Sequence, residues 1–205
     1  MEFVVYILLG ITSVVMVTFI VERAWALRWR KALPPAVESA ASTCQNRQDV
    51  PMLRRACEQH PSPLSRLLIL AADHLDWPQS ENVDALQTRA RHEIVKLERG
   101  LVVLEIIVGI APLLGLVGTI AGMMSAFGEV GKTGLTDAGK LAHDIAVILN
   151  ATLWGLLIAI PSLIFWSYYN KKVELLAAEM ETLCDEFVRR QYRSAGPSGG
   201  PGRSA

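Results

Sequence analysis

Three long stretches of the chain carry almost no charge, and polar residues crowd into the segments between them. The first covers residues 3–27; up to Val21 it holds no charged side chain, and its polar residues are Thr12, Ser13 and Thr18. The second, 101–127, has Glu105 as its one charge. The third, 145–169, is approached through His143 and Asp144 and contains Asn150, Thr152, Gly155 and Pro161. A helix needs ~20 apolar residues to cross the hydrocarbon core of a bilayer. The pattern therefore predicts three transmembrane helices.

The intervening segments read as helical too. Pro34-Pro35 breaks the chain after the first span, and Ser62-Pro63 reads as an N-cap followed by proline at the first helical position. Leu64, Leu67, Leu68, Ala71 and Leu75 then form one apolar stripe, which Pro78 ends. Ser80 is positioned to cap the next helix, with Val83, Leu86, Ala90, Ile94, Leu97 and Leu101 on one face. Only Gly100 interrupts this pattern, so it predicts one helix running from residue 80 through residue 128. Beyond the third span, Val173, Leu176, Met180, Leu183 and Phe187 continue a helix. The soluble stretch is too short for a large core of its own, so it should pack against the tails of the spans.

The result is an all-α membrane protein with long helical extensions in the cytoplasm. Its predicted parts are a first transmembrane helix (1–27), a cytoplasmic helical segment (28–99), a second transmembrane helix (100–128) and a short periplasmic link (129–141). A third transmembrane helix (142–170), a cytoplasmic helix (171–193) and a disordered tail rich in Gly, Ser and Pro (194–205) follow.

Charge sets the orientation. Eleven Lys and Arg fall in 28–99, whereas the link at 128–140 has only Lys132 and Lys140. The positive-inside rule then places the N-terminus outside and the C-terminus in the cytoplasm. Trp25, Trp29, Trp166, Tyr168 and Tyr169 fit interfacial anchors. Ala24-Trp25-Ala26 resembles a signal-peptidase site, but the apolar run is too long for a signal peptide and no basic residue precedes it.

Composition narrows the function. The chain is 51% hydrophobic and 20% charged with a formal net charge of zero, so nothing in it calls for nucleic acid. Cys44, Cys57 and Cys184 are scattered, odd in number and without Cys/His ligand spacing, which argues against a metal site or a disulfide framework. They read as small residues on reduced cytoplasmic surfaces. No nucleophile–base pair, phosphate loop or carboxylate dyad stands out, so the chain does not read as an enzyme and calls for no cofactor.

The candidate chemistry lies in residues 110–128. Ala111, Gly115, Gly118, Thr119, Gly122 and Ala126 share one face of the second span, and Gly118 and Gly122 form a GxxxG pair. In the third span Ala151, Thr152, Gly155, Ala159 and Ser162 do the same. Two small-faced helices joined by a short link should pair as an antiparallel hairpin, with Gly115, Gly118, Gly122, Gly155 and Ala159 at the packing surface and Pro112 and Pro161 as kinks. Such faces can serve packing alone, and a buried threonine often bonds only its own i−4 carbonyl. Thr119 and Thr152 at similar depth nonetheless suggest a polar strip, which Asn150 would extend outward and Glu105 inward.

The stretch from Ala111 to Met123, APLLGLVGTIAGM, followed by ATLWGLLIAIP from Ala151 to Pro161, resembles the ExbB/TolQ family, which is related to the flagellar stator protein MotA. The resemblance covers both later spans and fits the three-span layout. It implies the larger subunit of a proton-driven motor of the bacterial inner membrane, a homopentamer around a central pore that holds a dimer of a single-span ExbD/TolR-like partner. It implies a TonB/TolA-like protein as a further partner. In this family a partner aspartate takes and releases protons, and threonines of the second and third spans line its route. By motif position these are Thr119 and Thr152. One departure stands out. Many ExbB-branch members have a glutamate five residues before the third-span threonine, where this chain has Val147. Coupling would then rest on the partner's aspartate and the threonines, or on another group such as Glu105 or Asp144, and the oxygens of the strip would also suit sodium. A non-conducting scaffold and a self-contained channel are the competing readings.

Overall fold

The computed structural model describes residues 2–134 and 138–194. Among these the regular elements are helices: α1 Glu2–Ala26, α2 Trp29–Ala32, α3 Pro35–Thr43, a 3-10 turn at Arg47–Asp49, α4 Val50–Gln59, α5 Pro63–Asp73, α6 Gln79–Glu98, α7 Leu101–Thr133 and α8 Ala138–Ser194. No described residue lies in a strand. Helices α1, α7 and α8 are each long and apolar enough to cross a membrane. The chain divides into two compact units, Met1–Trp25 with Gly100–Asn170, and Ala26–Arg99 with Lys171–Ala205.

Several boundaries differ from the sequence expectation. The helix predicted from residue 80 to 128 is interrupted at Arg99 and Gly100, between α6 and α7. Helix α6 begins one residue before Ser80, and its N-cap is Pro78, which adopts an extended backbone while its carbonyl accepts the first bond, from Asn82 N–H at 3.1 Å. The link expected at 129–141 is helical over much of its length. Helix α7 runs to Thr133 and stops at Gly134, whose φ of 74° suits glycine and whose N–H bonds Val130 O at 2.8 Å. Residues 135–137 of that link lie outside the described residues, as does the predicted disordered tail beyond Ser194.

In the first unit, Val5, Leu9 and Met16 of α1 are buried together with Leu104, Ile107 and Ala111 of α7 and Ile148, Ala151, Ile158 and Ala159 of α8. The outward faces stay apolar, with Phe3 77% and Met124 71% exposed. Water does not tolerate such a surface over whole helices, and a bilayer or another apolar surface does. Helix α1 is fastened at its far end by Tyr169, whose hydroxyl donates to Ile20 O at 3.0 Å.

The second unit is a helical cluster with its own core. Leu33 and Val37 pack with Leu53, Leu64, Leu67, Leu68 and Leu86, and with Leu176, Met180, Phe187 and Val188 of α8. The expectation that the soluble segment packs against the tail of a span is met here by the third span. Ser62 caps α5 as its sequence suggests, accepting from Ser65 N–H at 3.1 Å with Pro63 beginning the helix.

The predicted stripe of α6 does pack against the core, but two polar residues beside it are buried more deeply than most of its members. Val83, Ala90 and Leu97 are only partly buried, whereas Asn82, Leu86 and Glu93 are buried. Glu93 is fully paired and Asn82 is bonded through its amide nitrogen, although Asn82 Oδ1 has no partner among the described residues. Asn82 Nδ2 donates to Ala71 O at 3.0 Å and His74 O at 3.2 Å and meets the Tyr192 hydroxyl at 3.2 Å. Glu93 is 0% exposed and takes Arg66 Nε at 3.0 Å, Lys96 Nζ at 3.0 Å and Arg89 Nε at 3.5 Å. Burial alone would raise its carboxyl, but the bonds from Arg66 and Lys96 outweigh that and hold it below the usual value of 4.5.

The three cysteines are also inside rather than on the surface. Burial pushes the Cys57 thiol up to about 11 and the Cys184 thiol up to about 12, and it raises Cys44 as well. A small, weakly polar thiol fills core space as a hydrophobe does, so cytoplasmic placement says nothing about exposure.

Candidate functional site

Helices α7 and α8 meet through the residues that have no side chain. A Cβ built on Gly155 would lie 2.6 Å from Ala111 O, and one on Gly115 would lie 2.8 Å from Ala151 O and 2.9 Å from Thr152 Cα. These are backbone contacts, which only glycine permits at this separation. Gly118 differs, because a Cβ there would meet Ala151 Cβ at 2.8 Å and Val5 Cγ1 at 3.1 Å. It therefore serves α1 as well as α8. Nothing in the run of Val5, Leu9 and Met16 distinguishes that role in the sequence, since aliphatic residues at such spacing fit any apolar neighbour. Gly122 and Ala159 are buried.

This close approach brings the two threonines together. Thr119 Oγ1 and Thr152 Oγ1 are 3.5 Å apart. Thr119 bonds its own helix, donating to Leu116 O at 2.8 Å. Thr152 instead reaches across to α7, with Gly115 O at 3.3 Å. A hydroxyl has one proton and two lone pairs, so the Thr152 proton is divided between Gly115 O and Thr119 Oγ1. Both threonines are half-buried, at the edge of the helix contact rather than beneath it.

The other members of the expected strip are placed differently. Glu105 is exposed and lies fourteen residues before Thr119, two heptads along the same stripe of α7 and ~21 Å away by helical rise. Asn150 is exposed and lies two residues before Thr152, ~200° around α8 at ~100° per residue. It does not share the threonine face. His143 and Val147 are exposed as well, and Asp144 is half-buried. Pro112 and Pro161 sit inside α7 and α8, which continue through them. Each ring lacks an N–H, so the carbonyls four residues earlier, Val108 and Leu157, have no donor from it. Ser162 is fully buried on the small face of α8, and its hydroxyl has no partner among the described residues.

The chemistry available to the threonine pair follows from these facts. Two hydroxyl oxygens can hold a water, a cation or a protonated acid, but neither titrates near neutral pH. The pair cannot store a proton itself. Any proton it guides must reside on a group from outside this cluster, and Glu105 is too far along the helix to touch it directly. Among the described residues no cluster of His, Cys, Asp and Glu is arranged to hold a metal ion.

Comparison with known proteins bears on the chain as a whole. Over 206 aligned residues, 87% of this chain and 80% of the relative, the chain is 26% identical to the biopolymer transport protein ExbB of Xanthomonas campestris pv. campestris (strain B100). It is 36% identical to the putative biopolymer transport protein ExbB-like 1 of Helicobacter pylori (strain ATCC 700392 / 26695) over 96 residues, 46% of this chain and 51% of that one. With the biopolymer transport protein ExbB of Aquifex aeolicus (strain VF5) it shares 29% identity over 108 residues, 53% of this chain and 72% of that one. The family model described as the MotA/TolQ/ExbB proton channel family matches residues 59–182, which take in α7, most of α8 and the threonine pair. With more than half of its length matched and both threonine-bearing helices inside the match, the chain belongs to the MotA/TolQ/ExbB proton channel family.

Proposed function

We propose that this chain is the larger, ExbB/TolQ-like subunit of a proton-driven motor in the bacterial inner membrane, which couples ion flow to work on the cell envelope. The observation that carries the reading is the pairing of Thr119 and Thr152, two hydroxyl oxygens 3.5 Å apart at a seam made of glycines. A polar pair on a small-residue face inside a span can line a path or seat a partner helix. The pair has no titratable group, and the resemblance to the ExbB/TolQ family assigns the proton carrier to a carboxylate on a single-span ExbD/TolR-like partner. That partner would sit beside the threonines, in a pore formed by a homopentamer of this chain, and a TonB/TolA-like protein would receive the work. The N-terminus is periplasmic and the C-terminus cytoplasmic. Protons are the coupling ion, with Val147 leaving the partner's carboxylate to act without a glutamate on the third span.

Ion flux in vesicles tests the reading, with the chain coexpressed with an ExbD/TolR-type partner. Thr119→Val and Thr152→Val should each lower partner-dependent flux about 10- to 100-fold while the complex still assembles. Unchanged flux in both variants would remove the pathway assignment. The bond from Thr119 to its own helix and the glycine contacts favour a second reading, a scaffold that packs but conducts nothing. On that reading both valine variants work normally and only Gly118→Leu, which fills the contact with Ala151 and Val5, disrupts assembly.

A further inference from the structure

The Glu93 cluster holds more positive charge than its own carboxylate can neutralise. Arg66 from α5 and Arg89 and Lys96 from α6 all reach the one buried acid, each within 3.5 Å. Their side chains remain open to solvent, with Arg66 41%, Arg89 42% and Lys96 60% exposed. Three cations against one anion leave an excess of two charges in a patch only a few ångströms across. Like charges held this close repel, water screens them in part, and a second anion at the rim would be attracted by the excess. The acid is at the bottom and the cations form the rim, so the excess faces outward, toward an anion in solution or at the membrane surface.

Four other bases of the same unit each pair with a single acid. Arg47 pairs with Asp76 and Arg54 with Asp73, Arg189 with Asp185 and Arg190 with Glu186. Glu93 differs from these pairs in gathering three bases on one acid. A guanidinium has five N–H donors and an ammonium three, and the single carboxylate accepts from only a few of them. Forked Arg donors beside a Lys suit the oxygens of a phosphate. Lys96 precedes Leu101, where the apolar run of α7 begins, by five residues. Five residues in any conformation reach no more than ~18 Å, so the patch stays near the headgroup layer when α7 is inserted.

We propose that Arg66, Arg89 and Lys96 form a binding site for the phosphate of an anionic phospholipid headgroup, templated by the buried carboxylate of Glu93. The site is separate from the threonine pair and does not depend on the motor reading. Its role is to fasten the α5–α6 corner to the lipid surface.

The test uses the full chain purified in a neutral detergent and titrated with phosphatidylglycerol, with bound lipid counted by native mass spectrometry. The parent should bind phosphatidylglycerol in preference to phosphatidylcholine. The double variant Arg89→Gln/Lys96→Gln keeps the Arg66–Glu93 pair and so should still fold; at about fivefold per base removed, its affinity should fall about 25-fold. Lys96→Arg should retain binding, and Arg47→Gln, which removes a base of equal charge elsewhere, should leave it unchanged. The proposal is overturned if the double variant binds phosphatidylglycerol as the parent does, or if Arg47→Gln loses as much. Inorganic phosphate provides the remaining arm. If it displaces the lipid at equal concentration, the site takes free phosphate and the lipid assignment fails; if it does not, the headgroup in its bilayer is the ligand.

Discussion

The absent side chain of Gly155 would end 2.6 Å from the carbonyl oxygen of Ala111, so α7 and α8 touch backbone to backbone. A methyl group there cannot be absorbed by rotating a side chain, because the obstacle is main chain. Gly155→Ala should therefore destabilise the purified protein by about 1–3 kcal/mol through overpacking. Gly10→Ala is the counterpart, since a Cβ at Gly10 meets nothing within 4 Å. It should be neutral or slightly stabilising through helix propensity. Thermal unfolding of both variants in the same detergent checks the contrast, and equal losses would contradict it.

Thr152 reaches Gly115 O with a hydroxyl that serine also possesses. Thr152→Ser should keep most of the partner-dependent ion flux, whereas Thr152→Val should lower it about 10- to 100-fold, the size expected when a buried hydrogen-bonding group is lost. Flux per assembled complex is the measurement. Equal losses in the two variants would mean that the γ-methyl group, not the hydroxyl, is what matters.

Glu93 makes the second unit sensitive to acid. Its carboxyl is held below 4.5 in the folded chain, so the folded state binds this proton less readily than the unfolded one. The stabilisation is full above that value and is lost as pH falls through the lowered one. Glu93→Gln should cost about 2–4 kcal/mol at neutral pH, because it leaves three cations around a neutral amide. The gap between parent and variant should narrow as pH falls below 4.5, and chemical denaturation at neutral and acid pH reads it. A gap that does not change with pH would separate the stability effect from the charge.

The buried thiols predict slow chemistry. With Cys57 at about 11 and Cys184 at about 12, the thiolate fraction at pH 8 is roughly a thousandth or less, and neither sulfur is open to reagent. A maleimide should label the native chain far more slowly than the denatured one, in which all three cysteines react. Rapid labelling of the folded protein would contradict the burial.

The sequence reveals what depends on long contrasts. Charge-free runs mark the three spans, Ser62-Pro63 marks the start of α5, and the small residues around Thr119 and Thr152 mark the face on which α7 and α8 meet. What it conceals depends on who the neighbour is. Asn82 and Glu93 are buried on α6 because Ala71, His74 and Tyr192 bond the amide nitrogen of one while Arg66 and Lys96 pair with the other. Hydropathy ranks both as outward residues. The same limit applies to Asn150, which is polar and next to the right residues in the chain but lies most of half a turn from Thr152. The use of Gly118 by Val5 of α1 depends on a contact across more than one hundred residues of chain.

The hydroxyl pair also has a sign. Thr119 directs its one proton at Leu116 O, and Thr152 has Gly115 O within reach of its own. Whichever of Gly115 O and Thr119 Oγ1 takes the Thr152 proton, both protons are engaged within the protein, and the pair meets a visitor with lone pairs rather than with hydrogens. A hydronium, an alkali cation or a protonated acid finds acceptors there, and a chloride finds no donor from either hydroxyl. Two uncharged side chains thus present a surface of acceptors alone, set by the direction of two O–H bonds.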